Sequence, residues 1–125
     1  MIEQSGESVG PTPFQVGKHQ VDEAVVLSVA GGGGMLSAPQ LSEAIQTATA
    51  ARPATLIVDL SKVDFLASAG MTVLVTAQAE VVAPTRFAVV AHGAATSRPI
   101  KLMGIDTVLP LYSTLDDALS DLAGR

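Results

Sequence analysis

The segment ATLIVDL, Ala54–Leu60, is the feature that most narrows the fold of this chain. It is a continuous apolar run of strand length, which is typical of a central strand covered on both faces. Apolar residues recur at helical spacing before it, from Leu41 to Ala48, and a second helix-like segment follows from Gly70 to Val82. A buried strand between two helices predicts an α/β layer fold.

The rest of the chain continues this alternation of strands and helices. Further strands are predicted at Phe14–Lys18, Ala24–Ala30, Arg86–Ala91 and Val108–Leu111. Helices are predicted from a cap at Ser37 to about Arg52, over Gly70–Val82, over Thr96–Met103 with Ser97 as its cap, and from Ser113–Thr114 to Leu122. The predicted fold is α/β, a mixed, mostly parallel sheet of about five strands with about four helices. The first hairpin, which turns at His19–Glu23, supplies its antiparallel pair.

Length and composition indicate one domain with an aliphatic core. The chain has 125 residues, of which 48% are hydrophobic and only 3% are aromatic. It contains no cysteine, which excludes disulfides, thiolate metal sites and a cysteine nucleophile. Residues 1–13 carry almost no apolar side chains and are predicted to be a flexible tail, and residues 14–125 are predicted to form the domain.

The charge pattern argues against several classes of partner. The net charge is −5, and the basic residues are scattered, so neither a nucleic-acid surface nor a polybasic membrane patch is predicted. The N-terminal residues lack the apolar segment of a signal peptide, and no stretch is long enough to insert into a membrane. We therefore expect a cytoplasmic domain.

Ser68 lies at the junction between a strand at Val63–Leu66 and a helix that begins at about Ala69. One interpretation is that Ser68 caps the helix and accepts a hydrogen bond from a backbone N–H in the first turn. A second interpretation uses the same position, because a phosphate there is favoured by the helix dipole and adds about two negative charges. Both interpretations stay open on the residues alone.

TLIVDLSKVDFLASAGMTVLV, residues 55–75, resembles the signature of the STAS domains, in particular the single-domain bacterial anti-sigma factor antagonists. The family pattern is an apolar strand, then D-L-S-x-V-x-F-[ML]-D-S-S-G, then a helix. It is matched here by Asp59, Leu60, Ser61, Val63, Phe65, Leu66, Ser68, Gly70 and Met71. SAPQLSEAI, residues 37–45, and SRPIKLMGIDTVLPLYSTLDDAL, residues 97–119, resemble the flanking parts of the family, so that the resemblance extends over residues 14–122.

The resemblance implies a regulatory function. Unphosphorylated antagonists bind an anti-sigma factor, often a serine kinase, and release a sigma factor. The kinase then phosphorylates the serine that corresponds to Ser68, and a phosphoserine phosphatase reverses the modification. The partner-binding residues implied here are Gly33, Gly34, Met35, Ala67, Ser68, Ala69, Gly70 and Met71. Met71 in particular follows the exposed start of the helix.

The chain departs from the family pattern around Ser68. Ala67 replaces the family aspartate, Ala69 replaces the second serine, and Gly31–Gly34 replaces a motif that carries a glutamate and an aspartate. These departures leave three possibilities: an altered partner, a phosphorylation site recognised through other contacts, or a binding module without a switch. Alternative functions are an accessory or scaffold subunit of a transport ATPase or stressosome-like complex, and a nucleotide- or small-ligand-binding domain.

No enzymatic site, cofactor or metal is predicted. Gly31–Gly34 lacks the Lys-Ser/Thr that follows a phosphate loop, and a turn with positive φ angles is the better interpretation. His19 and His92 have no carboxylate neighbours at ligand spacing. Asp59 is predicted to bond its own backbone at Ser61.

Overall fold

A computed structural model describes residues 15–33, 38–66 and 68–123. The strands are β1 (Gln15–Val21), β2 (Ala24–Gly33), β3 (Thr55–Leu66), β4 (Arg86–Val90) and β5 (Leu111–Tyr112). The helices are α1 (Ala38–Ala50), α2 (Ser68–Glu80), α3 (Ser97–Leu102) and α4 (Leu115–Ala123), and a 3₁₀ helix, Ile105–Thr107, follows α3. The predicted tail, residues 1–13, lies outside the described residues and stays a prediction.

The strands form one sheet in the order β1-β2-β3-β4-β5. β1 is antiparallel to β2, and the other neighbouring pairs are parallel. The predicted mixed sheet with five strands and four helices is therefore confirmed. The hairpin turn is shorter than predicted, because β1 continues to Val21 and pairs His19 with Val26. Asp22, with φ of 54°, and Glu23 make the turn.

Both faces of the central strands are covered, as the apolar run at Ala54–Leu60 predicts. Leu56, Ile57 and Val58 are each 0% exposed, although successive side chains on a strand point to opposite faces. Leu56 and Val58 belong to the larger core, where α1 and α2 contribute Ile45 and Leu74. This arrangement stabilises the sheet by removing the apolar surface of three helices, α1 to α3, from water.

The opposite face of the sheet is covered by α4. Ala118 of α4 is fully buried against the second core cluster, which contains Ile57 of β3 and Val90 of β4. The helix begins at Leu115, and the backbone N–H of Asp117 donates to Oγ1 of Thr114 at 3.0 Å. The predicted cap at Ser113–Thr114 is thus confirmed at Thr114.

β3 is longer than the sequence indicates. The two predicted strand segments, Ala54–Leu60 and Val63–Leu66, are parts of one strand. The register shifts between Ser28 and Ala30, where an additional residue of β3 is accommodated near Ser61. The polar residues between the two predicted segments therefore lie in a bulge, and the strand pairing continues on both sides of it.

Two predictions near the C-terminus are wrong. Ser97 is the first residue of α3, and Thr96 occupies the cap position without a side-chain cap hydrogen bond. β5 comprises only Leu111–Tyr112, whereas Val108–Leu111 was expected. Ile105–Thr107 forms a 3₁₀ helix that turns the chain before β5, and Pro110, which has no N–H, precedes the strand and accepts a hydrogen bond from Val89 N–H at 3.0 Å.

Candidate functional site

The candidate site lies where β2 and β3 end beside each other. Gly33, the last residue of β2, pairs with Leu66, the last residue of β3. Because the two strands are parallel, the chain leaves both at the same edge of the sheet. α1 begins at Ala38 and α2 begins at Ser68, and the two helices pack against each other. This edge therefore joins two strand ends and two helix starts.

The glycine run forms the end of β2. Gly31, Gly32 and Gly33 pair with Val63, Phe65 and Leu66, so the interpretation of these three glycines as a turn is wrong. Gly31 nevertheless has φ of 93°, a left-handed conformation that favours glycine, and a register shift follows it. Gly34 lies outside the described residues. The glycines thus allow β2 to follow the irregular end of β3.

Ser68 is exposed at the first position of α2. The cap prediction is wrong by one residue, because the helix includes Ser68 instead of beginning after it. Among the described residues no hydrogen bond engages its hydroxyl, whereas its carbonyl oxygen accepts one from Oγ1 of Thr72 at 3.0 Å. The backbone of Ser68 is therefore held by the helix, and its hydroxyl is accessible.

The residues after Ser68 become progressively buried. Ala69 is half-buried, Gly70 is buried, and Met71 is 8% exposed within the larger core. The expectation that Met71 offers an exposed side chain is therefore wrong. Met71 packs in the same cluster as Leu66, and this packing anchors the junction on which Ser68 is presented.

The edge carries few charges. Neither α1 nor α2 has an acidic residue in its first turn. The exposed charged residues at the end of β3 are Lys62 and Asp64. Asp59, further back on β3, accepts a hydrogen bond at Oδ1 from Ser61 N–H at 3.0 Å, which confirms the predicted local bond. A phosphate on Ser68 would therefore meet no carboxylate within its own helix turn.

The structure brings together only part of the predicted partner-binding set. Gly33, Ser68 and Ala69 lie at the edge, and Gly70 and Met71 support it from below. Gly34, Met35 and Ala67 lie outside the described residues, and their predicted roles are not tested. Leu66 also belongs to this edge, and the residue pattern does not identify it, because its pairing with Gly33 depends on the strand register.

The two histidines lie in different parts of the sheet. His19 belongs to the edge strand β1, and His92 follows β4. Across the described ranges, no three His, Cys, Asp or Glu side chains are grouped as a metal site would require. The helices in those ranges are also too short or too polar to cross a membrane.

Comparisons with known proteins agree on one family. The family model described as "Mlab, STAS domain" matches residues 16–111. The anti-sigma-F factor antagonist RsfB of Mycobacterium tuberculosis is 42% identical over 99 residues, which cover 79% of this chain and 81% of RsfB.

Solved structures show the same architecture. An anti-sigma factor antagonist from Mycobacterium paratuberculosis has a TM-score of 0.86 and 41% identity, over 89% of this chain and 95% of that chain. The unphosphorylated form of the antagonist SpoIIAA has a TM-score of 0.68 over 90% of this chain and 98% of that chain, and at 19% identity this likeness concerns the fold alone. With a family model that spans residues 16–111 and relatives above 40% identity, the chain belongs to the STAS domain family.

Proposed function

We propose that this chain is an anti-sigma factor antagonist that binds an anti-sigma factor of the serine/threonine-kinase type and so releases a sigma factor. The observation that carries the proposal is the exposed hydroxyl of Ser68, which makes no hydrogen bond among the described residues and lies at the start of α2, beside the Gly33–Leu66 pair. The names of the two relatives above 40% identity support an anti-sigma factor as the partner.

The proposed partner face is small and uncharged at its centre. It comprises Gly33, Gly34, Met35 and residues 67–69, with Gly70 and Met71 beneath it. Glycine and alanine allow another protein's backbone to approach Ser68 closely, because they carry no large side chain. The buried Met71 holds the helix start in place, and this reduces the conformational entropy lost when the partner binds.

Phosphorylation of Ser68 is the proposed switch. The modification adds about −1.5 to −2 charges at neutral pH. The start of α2 tolerates this charge, because backbone N–H groups and the helix dipole favour an anion there. A partner surface that accepts a neutral hydroxyl must instead desolvate a dianion, which opposes binding. The folded state is thus preserved while the complex is weakened.

The proposed activity is stoichiometric binding in the cytoplasm, without catalysis by this chain. The partner kinase would transfer the phosphoryl group to Ser68, and a separate phosphoserine phosphatase would remove it. The absence of the family's acids at Ala67 and Gly34 implies that this partner recognises the serine through other contacts.

The test is affinity capture of the tagged full-length chain from its source cells, with intact-mass analysis of the captured chain. We expect an anti-sigma factor among the bound proteins and a phosphate on part of the chain. Ser68→Ala should abolish the phosphate, whereas Ser61→Ala, a matched change of an exposed serine in the same strand–helix region, should retain it.

Other outcomes would identify the alternatives. Capture of membrane ATPase subunits without an anti-sigma factor would contradict the proposal and indicate an accessory subunit. Assembly into large particles would indicate a stressosome-like scaffold, and thermal stabilisation by nucleotide without protein capture would indicate a ligand-binding domain. If an anti-sigma factor is captured and Ser68 of this chain is unmodified, the result would support the antagonist function and contradict the phosphorylation switch.

A further inference from the structure

A cavity of about 570 Å³ lies beside the part of β4 that pairs with β3 but not with β5. β5 pairs with β4 only at Val89 and Val90, so Phe87, two residues earlier, lies beyond the end of β5. Phe87 and Pro110 both line the cavity. Its volume is within the range of about 300–1,000 Å³ that is common for small-molecule sites.

The cavity is remote from the Ser68 edge. Arg86 lines it and is the first residue of β4, where it pairs with Thr55, the first residue of β3. Ser68 follows the opposite end of β3. A ligand in this cavity would therefore occupy a site separate from the proposed partner face.

The edge of β4 presents a backbone donor to the cavity. The N–H groups of Val89 and Ala91 donate to Pro110 and Tyr112 at 3.0 and 2.9 Å, and these donors are two residues apart on one edge of the strand. The N–H of Phe87 continues the series by two residues toward the N-terminus, where the described residues provide no strand beside it. A ligand carbonyl can accept from this N–H.

Gln78 lines the cavity from α2. Its Oε1 atom is buried and has no hydrogen-bond partner among the described residues. A buried acceptor that lacks a donor is unfavourable, because its hydration is lost without replacement. A ligand N–H would satisfy it.

Two of the other polar side chains around the cavity already make hydrogen bonds within the protein, and a third, Arg86, can pair with a ligand. Oγ1 of Thr85 donates to the carbonyl oxygen of Pro53 at 2.6 Å, and the hydroxyl of Tyr112 donates to Asp121. Arg86 is exposed, and no ion pair engages it within the part of the chain that the structure describes. The remaining wall is apolar and consists of Val81, Ala83, Phe87, Pro110 and Leu122.

We propose that this cavity binds an N-acylated amino acid with an apolar side chain and a free carboxylate. The carboxylate pairs with the guanidinium of Arg86, the ligand N–H donates to Gln78 Oε1, and the acyl carbonyl accepts from Phe87 N–H. The side chain packs on the apolar wall. Asp22 and Glu23 line a neighbouring cavity that shares Arg86, and their charges restrict an anionic ligand to the Gln78 side.

The same chemistry is present in a free N-acyl amino acid and in the carboxyl terminus of a peptide. The probes are therefore N-acetyl-leucine and the tripeptide Ala-Ala-Leu, each titrated into the ¹⁵N-labelled full-length chain and followed by amide chemical shifts. We expect saturable shifts at Arg86, Phe87 and the side-chain amide of Gln78. Tighter binding of the tripeptide would identify a peptide terminus as the source, and tighter binding of N-acetyl-leucine would identify a free metabolite.

Variants and a modified probe test each contact. N-acetyl-leucinamide, which lacks the carboxylate, should bind at least about tenfold more weakly, as should N-acetyl-leucine to Arg86→Gln. Arg98→Gln, a matched change of an exposed arginine in α3, should bind normally. Gln78→Leu should weaken binding and also raise the Tm of the ligand-free chain, because the unpaired buried acceptor is removed.

Three binding results would each overturn the assignment: no saturable shift with either probe, equal affinity for the leucinamide, or equal weakening by Arg98→Gln and Arg86→Gln. A lower Tm for ligand-free Gln78→Leu would show that Gln78 is paired in solution and would also overturn it. None of these results bears on Ser68, because the cavity and the partner face lie at opposite ends of the parallel strands.

Discussion

Gly33 pairs with Leu66 at the last position of two parallel strands, and this pair places the end of β2 beside the start of α2. Leu66 is 5% exposed and packs in the core, whereas Ser68, two residues later, is exposed. A buried strand end thus presents an accessible hydroxyl, which is the arrangement that the proposed contact and phosphorylation site requires.

Replacing Ser68 by glutamate should weaken binding to the proposed anti-sigma factor by at least about tenfold, because this partner must desolvate a charge. Each 1.4 kcal/mol corresponds to about a factor of ten in affinity. Ser68→Ala should bind as the wild type does. The measurement is calorimetric titration of the three chains against the cognate anti-sigma factor. Equal affinities for all three would mean that Ser68 is not the switch.

The same serine should matter little for stability. Its side chain is exposed and makes no hydrogen bond among the described residues, so Ser68→Ala should change the free energy of unfolding by no more than about 0.5 kcal/mol. Urea denaturation measures this change. A loss of about 2 kcal/mol would show that Ser68 is a structural residue, and the proposed regulatory role would lose its support.

Gly31→Ala should destabilise the domain by about 1–2 kcal/mol, because an alanine side chain is strained in a left-handed backbone conformation. The φ angle of Gly31 is 93°. Gly17→Ala in β1 is the matched control, since an added Cβ would meet His19 Nε2 at an ordinary 3.7 Å. Similar denaturation midpoints for the two variants would contradict the strand geometry at the end of β2.

Thr114→Ala should cost about 1 kcal/mol, since it removes the side-chain acceptor for the N–H of Asp117 at the start of α4. Ser120→Ala, on the exposed face of the same helix, should cost little and serves as its control. The difference in Tm between these two variants measures how much the Thr114 cap contributes to stability. No difference between them would show that α4 is held by its packing on the sheet alone.

Leu74→Ala should lower the free energy of unfolding by about 2–5 kcal/mol, because it leaves a cavity at a fully buried position of α2. Val82→Ala is the comparison, since Val82 is 76% exposed and its truncation should change stability by about 0.5 kcal/mol or less. Chemical denaturation of the two variants measures the difference in their free energies of unfolding. A small effect at Leu74 would contradict the packing of α2 on the sheet.

Residue patterns were sufficient for the fold class. Periods of two and 3.6 residues reveal which side chains face a core, and the apolar run at Ala54–Leu60 identified the strand that is buried on both faces. The patterns failed where local polarity and tertiary pairing disagree. Ser61 and Lys62 indicated the end of a strand, but a bulge accommodates them within β3.

The site was predictable in part. The position of Ser68 between a strand and a helix followed from the sequence, as did its resemblance to a phosphorylated serine. The burial of the residues next to Ser68 could not be predicted from the sequence, because it depends on which surfaces the fold brings together. Met71 was expected at the surface and is packed in the core, and the cavity beside Phe87 lies beyond the end of the two-residue strand β5.

The sequence alone therefore determined the order of strands and helices, the aliphatic core and the serine that faces solvent, since these depend on local periodicity and residue chemistry. The tertiary structure decided the strand register, the burial of Met71, the position of Phe87 beyond the end of β5, and the lack of a partner for Gln78 Oε1 among the described residues. These features arise from contacts between residues that are distant in sequence, and a local pattern contains no information on which of them will meet.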